Sequence, residues 1–171
     1  MANVLTAFFS LTGQTYGKGG MVELDKGYTH MAAEFIAEAT GCDLFHIEQV
    51  REYSADHMVM IREAKEELDG DMRPAIKDFP ASIDGYDIVV VAYPNWWNAL
   101  PMPVVTFLTH FSWAGKTVVP FCTSGGGGFG HSREDLAKYC PGAVIAEGMT
   151  IPGAEVEDNK EIIQTWAKAR L

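Results

Sequence analysis

Along the chain, continuous apolar runs alternate with segments whose apolar positions recur every three or four residues. The first run, Asn3 to Phe9 (NVLTAFF), is short and partly β-branched, the pattern of a buried strand. Further on, Ala32, Phe35, Ile36 and Ala39 fall on one helical face, and Gly41 stands where such a helix would close. CDLFHIE, residues 42 to 48, predicts a second strand. Ser54 then offers a cap for a helix whose face would carry Met58, Ile61, Ala64 and Leu68, before Gly70 and Pro74 break the pattern. Asp87 to Pro94 is the clearest strand, since an unbroken β-branched run belongs in a sheet covered on both faces. After it come a short helix around Val104 to His110, a strand at KTVVPFCT and a helix at SREDLAKYC. A strand at AVIAEGMTI and a last helix with Ile162, Ile163, Trp166 and Ala169 on one face complete the chain.

Regular alternation of strand and helix implies parallel strands joined by right-handed crossovers, hence an α/β three-layer arrangement with helices on both faces of one sheet. With 171 residues, no repeat and no linker, residues 1–171 are expected to form a single domain. In such sheets a ligand sits outside the carboxyl ends of the strands, where strand order reverses.

Three of those strand ends carry unusual residues. The first strand is followed by residues 10 to 28, which show no helical periodicity and read as a long loop, a length that in a compact domain points to function or disorder. Ser10, Thr12, Gln14 and Thr15 offer polar groups there, Gly13 permits close backbone approach, and the amides at Tyr28, Thr29 and His30 open a helix that would attract a phosphate. A capped helix behind a floppy insertion is the plainer alternative. The third strand enters AYPNWWNALPMP, where two adjacent tryptophans, Trp96 and Trp97, cannot both enter one core without distorting the turn. One of them covers either a planar ligand or the core itself. The fourth strand ends in CTSGGGGFG, whose glycine run suits backbone lying directly against a ligand or simply a flexible turn.

Charge narrows the partners. Thirteen Lys plus Arg against 23 Asp plus Glu give −10, which opposes binding to nucleic acid or to anionic lipid. No apolar window approaches the length of a membrane span, and the N-terminus lacks the marks of an export signal, so a cytoplasmic location is expected. Cys42, Cys122 and Cys140 are odd in number and widely spaced, which favours reduced, mostly buried thiols. The glycines at 125, 127 and 130 match GxGxxG only as any glycine run does, and neither GKT nor Gly17-Lys18 has the upstream glycine of a triphosphate loop. The five histidines show no metal spacing, and no acid, base or nucleophile constellation emerges.

Taken together, SLTGQT after the first strand, YPNWW after the third and PFCTSGGGGFG after the fourth resemble the flavodoxin family over essentially the whole chain, in particular members with an extended first loop. The resemblance implies a flavodoxin-like sandwich with a five-stranded parallel sheet of order 2-1-3-4-5, and FMN as cofactor. Carried over residue by residue, Ser10, Thr12, Gly13, Gln14 and Thr15 would serve as phosphate ligands. Because GKGGMVELDK separates Thr15 from the helix start, Tyr28, Thr29 and His30 would share that role with Ser10 and Thr12. Pro94, Asn95, Trp96 and Trp97 would form one ring-contacting loop, with the Asn95 backbone and the glycine loop bonding the ring's polar edge, and Thr123, Ser124, Gly125, Gly126 and Gly127 the other. The implied function is an FMN-binding electron carrier of low potential, serving a redox partner protein or a small-molecule acceptor. The alternatives are an FMN-dependent NAD(P)H or quinone oxidoreductase and a flavin-free phosphate binder on the same scaffold.

Overall fold

A computed structural model describes residues 2–171. Its elements in chain order are β1 (Val4–Phe8), β2 (Gly13–Gly17), β3 (Gly20–Leu24), α1 (Tyr28–Thr40), β4 (Asp43–His46), α2 (His57–Asp69), β5 (Ile88–Pro94), α3 (Met102–Thr109), β6 (Thr117–Ser124), α4 (Ser132–Tyr139), β7 (Val144–Ile145), β8 (Met149–Pro152) and α5 (Lys160–Arg170). The central sheet runs β4-β1-β5-β6-β7, with β8 also paired to β6, and every pairing in it is parallel. The first, second, third and fourth expected strands thus take the expected places, β4 outside β1 and β5 beside it.

The run of residues in β5 explains the layers. Side chains alternate across a strand, so Val89, Val91 and Tyr93 enter one apolar cluster, with α3 and Leu136 of α4, while Val90 and Ala92 enter another, with α1 and α5. All five are fully buried, which is why the strand has no polar alternation to show. Gly41 closes α1 as expected, in the left-handed region at φ 72°, with its N–H donating to the Ala37 carbonyl at 2.7 Å.

Several expectations need correction. Residues 10 to 28 are not a structureless loop: β2 and β3 form an antiparallel hairpin, a separate two-stranded sheet pairing Gly13 with Leu24 and Gly17 with Gly20. Helix α2 is capped by Asp56, whose carboxylate accepts from the Val59 N–H at 3.0 Å, and Ser54 instead accepts from the Asp56 N–H. Its inner face is Met60, Ala64 and Glu67, with Met58 exposed, and in α5 Ile163 and Ala167 turn inward while Ile162 is exposed. In both helices three-residue spacing allowed neighbouring stripes, and only the packing direction selects one. The fifth strand is split. Between Ile145 and Met149 the chain advances four positions while its partner advances three, from Val118 to Phe121, so one residue bulges out beside Pro120, which has no N–H for the ladder.

Candidate functional site

The carboxyl ends of β1, β5, β6 and β8 open on one edge. There α1 begins at Tyr28, and its first internal bond runs from the Met31 N–H to the Gly27 carbonyl at 3.1 Å, so the amides of Tyr28, Thr29 and His30 precede the ladder. Gly27 is required by contact: a Cβ there would run into the Ser10 hydroxyl and the Leu11 carbonyl, so glycine alone lets the chain leaving β1 lie against the helix start. The hydroxyls of Thr29 and Thr123 share a buried hydrogen bond of 2.8 Å, tying the start of α1 to the end of β6. Tyr28 lays its ring on Gly153, where a Cβ would come within 2.6 Å of the ring, and its hydroxyl donates to the Tyr16 carbonyl at 3.1 Å. Desolvation, then the Glu157 charge, push the Tyr28 phenol up from its ordinary value, which keeps it a donor.

After β5 the chain turns through two consecutive left-handed residues, Trp97 at φ 58° and Asn98 at φ 61°. A bulky residue in that region is strained, so the surroundings must hold it. The Trp97 indole N–H donates to the Ile61 carbonyl at 2.8 Å, and the Asn98 carbonyl accepts from the His131 N–H at 2.7 Å. The turn divides the two indoles: Trp96 points inward, edge-on to Phe9 and Tyr53, whereas Trp97 stays 45% exposed against α2. Gly130, itself left-handed, has Asn98 so close that a Cβ would lie 2.5 Å from its Cα.

The loop after β6 is held from both sides. Asn95 donates its amide side chain to the Gly128 carbonyl at 2.8 Å, and the Ser124 hydroxyl accepts from the N–H groups of Gly126 and Gly128 at 3.2 and 3.3 Å. Those amides are therefore committed to the protein, as is the Asn95 N–H, which donates to the Thr123 carbonyl at 2.7 Å. The expectation that the Asn95 amide and the whole glycine loop present free donors is corrected accordingly. Gly125 differs. Its φ lies outside the left-handed region and a Cβ there would meet open space, so the protein's own packing does not demand glycine at that position.

These loops enclose a cavity of about 420 Å³. The hairpin crosses it. On one side Gln14 accepts from the His57 N–H at 3.1 Å and the Tyr16 ring meets His57 edge-on at 5.0 Å; on the other, Lys18 pairs with Asp158. Of the expected residues, Thr12, Gln14, Thr15, Tyr28, Thr29, Pro94, Asn95, Trp96, Trp97, Thr123, Ser124 and Gly125 all line this cavity. Ser10 packs against Gly27, Gly13 opens the hairpin, and Gly126 and Gly127 lie beyond the lining. The His30 side chain turns away, to Glu34 at 3.2 Å and to the rings of Phe8 and His46. Sequence reasoning missed Tyr16, His57, Met60, Ile61 and Gly153, all of which line it. No apolar alternation in residues 13 to 17 marks Tyr16 as a strand residue, since the alternation is one of burial alone, and nothing in the order of residues brings α2 to this edge.

Among the described residues there is no group of three or more His, Cys, Asp or Glu placed to hold a metal ion, and no helix is long and apolar enough to cross a membrane. The cysteines are unpaired, and burial pushes the Cys122 and Cys140 thiols up to about 12, so neither is a nucleophile at neutral pH.

Comparison with known proteins places this architecture. A family model described as Flavodoxin matches residues 24–169. Among solved structures, a putative flavoprotein from Bacteroides eggerthii is 32% identical, with 99% of this chain and 98% of that one covered at a TM-score of 0.77. A putative flavoprotein from Bacteroides uniformis is 29% identical, with 98% of each chain covered and a TM-score of 0.75. A flavoprotein in complex with FMN from Lactobacillus acidophilus shares the fold at 18% identity, with 92% of this chain and 98% of that one covered and a TM-score of 0.66. No curated protein matches.

Proposed function

This chain belongs to the flavodoxin family, and on that premise we propose that its cavity holds FMN and that the protein transfers electrons to a redox partner protein or a small-molecule acceptor. The observation that carries the reading is the meeting of the β1, β5 and β6 ends at one cavity, together with α1 amides outside the helix ladder and an exposed indole held against the wall. The residues present fit the group. Gly125 is the clearest sign, because its missing side chain leaves bare backbone on the cavity wall that no protein neighbour occupies.

The amides of Tyr28 and Thr29, at the positive end of α1, would hold the phosphate with the Thr12 hydroxyl beside them. Ser10 would act indirectly, by seating the chain against Gly27. Trp97 would cover one ring face, its indole oriented by Ile61, and Gly125 would bring backbone to the ring's edge. Asn95 would work as a brace between the two ring loops through Thr123 and Gly128. When bound, FMN supplies one- and two-electron chemistry that no side chain here offers. The excess of acidic residues, −10 overall, opposes added negative charge at the site and so favours a low potential. Each ~1.4 kcal/mol of that opposition lowers a one-electron couple by about 59 mV.

Titration of the purified protein with FMN, followed by absorbance, tests this. One equivalent per chain should bind with a perturbed visible spectrum, and Thr12→Ala should weaken it by about 1 kcal/mol. A spectrum that remains that of free FMN at every ratio removes the redox reading and leaves a phosphate binder on the same scaffold.

A further inference from the structure

A second cavity lies on the α5 side of the sheet and shares no lining residue with the first. Its origin is the break in the fifth strand. Pro120 has no N–H for the ladder, and the Ala146 carbonyl accepts instead from the Arg133 guanidinium at 2.9 Å. Gly148, left-handed at φ 75°, holds the bulge hard against Pro120, whose carbonyl and ring a Cβ would meet. Between this displaced segment and α5 lies a space of about 340 Å³, a size that suits a compact organic molecule.

Its walls differ in kind. Val119, only 3% exposed, and Ala146 give apolar surface, and the Trp166 ring, packed on Phe121 at 5.5 Å, gives a flat side. Glu147 and Arg170 bring opposite charges to the same cavity, one from the bulge and one from the last turn of α5. They do not pair with each other, and neither forms an ion pair with any other described residue. The chain has 23 acidic residues against 13 basic, so an arginine beside a cavity without a carboxylate partner is open to one supplied from outside.

We infer that this cavity takes a free α-amino acid with an apolar side chain, its carboxylate on Arg170, its ammonium on Glu147 and its side chain against Val119 and Trp166. A zwitterion satisfies both charges at once, whereas a simple anion would meet Glu147 as a like charge and a simple cation would meet Arg170. An apolar side chain matches the rest of the lining. The site stands apart from the FMN reading and does not rest on it.

Titration of the isotope-labelled protein with L-leucine, followed by NMR with and without FMN, reads the site directly. The Gly148 amide and the Trp166 indole N–H should shift saturably, while the Gly125 amide, on the other cavity, stays in place. Glu147→Gln and Arg170→Met, both at exposed positions whose loss does not threaten folding, should each weaken L-leucine about three- to fivefold. Isocaproate, which lacks the ammonium, and isoamylamine, which lacks the carboxylate, should bind wild type more weakly than L-leucine does. Arg170→Met should weaken the acid and spare the amine, and Glu147→Gln should do the reverse. Gly148 and Trp166 signals that do not move, or an L-leucine affinity equal in wild type and both variants, overturn the site. Either analogue binding as tightly as L-leucine overturns it too, because the two charges would then not be read together.

Discussion

Thr29 and Thr123 share a buried hydroxyl pair although 94 positions separate them, so one hydrogen bond ties the start of α1 to the end of β6, the two ends proposed to hold the phosphate and the ring. Thr29→Val should cost about 1–3 kcal/mol in urea denaturation, since it strands the Thr123 hydroxyl, and adding Thr123→Val should recover part of that loss. Gly130→Ala should cost more than an ordinary surface change, because its Cβ would press on Asn98 backbone and the residue is already left-handed; a lowered melting temperature is the check. At this scale much was readable beforehand. Twelve of the expected positions reach the cavity: those after β5 and β6 because the strand ends of a parallel sheet share one edge, and Thr12, Gln14, Thr15, Tyr28 and Thr29 because the chain leaving β1 runs through the hairpin and returns to that edge at the start of α1. His30 shows the limit: its backbone is at the helix start, but its side chain follows the helix face toward Glu34, an i,i+4 neighbour.

Helix α2 carries one partner of a half-buried polar pair that no periodicity announces. Tyr53 donates to the Glu67 carboxylate, and Glu67 is only 8% exposed. Desolvation is the main reason its carboxyl is held above the ordinary range, with Glu63 adding to it and the Tyr53 bond and Arg51 opposing. A raised folded-state value means that the protonated form contributes stability, fully present below the unfolded-chain value and lost as pH rises through the folded one. Glu67→Gln keeps an acceptor for Tyr53 and removes the charge, so its stability relative to wild type should grow from acid toward neutral pH in denaturant titrations. An unchanged difference across that range would contradict the burial argument. The hairpin is the other element that periodicity obscured. Residues 13 to 17 do alternate in burial, but four glycines in residues 13 to 20 and the polar residues between them hide a strand pattern that only pairing with residues 20 to 24 stabilises.

For the molecule as a whole, the hairpin stands outside the cooperative core, joined to it by Gln14, Tyr16, Lys18 and the Tyr28 hydroxyl. Amides of residues 13 to 24 should therefore exchange hydrogen much faster than those of β5, and bound FMN should slow the hairpin selectively; equal protection in the free protein would place it within the core. The sequence by itself determined the layers, the four-strand centre of the sheet and the edge at which a ligand would sit, because continuous β-branched runs, helical spacing and chain-order handedness are local or topological constraints. Only the tertiary structure decided that residues 10 to 28 fold into a cover, that Met60 and Glu67 rather than Met58 face inward, and that His57 comes to the cavity wall. Those outcomes depend on which of several nearly equivalent faces meets a neighbour distant in the chain, and that choice is made by packing.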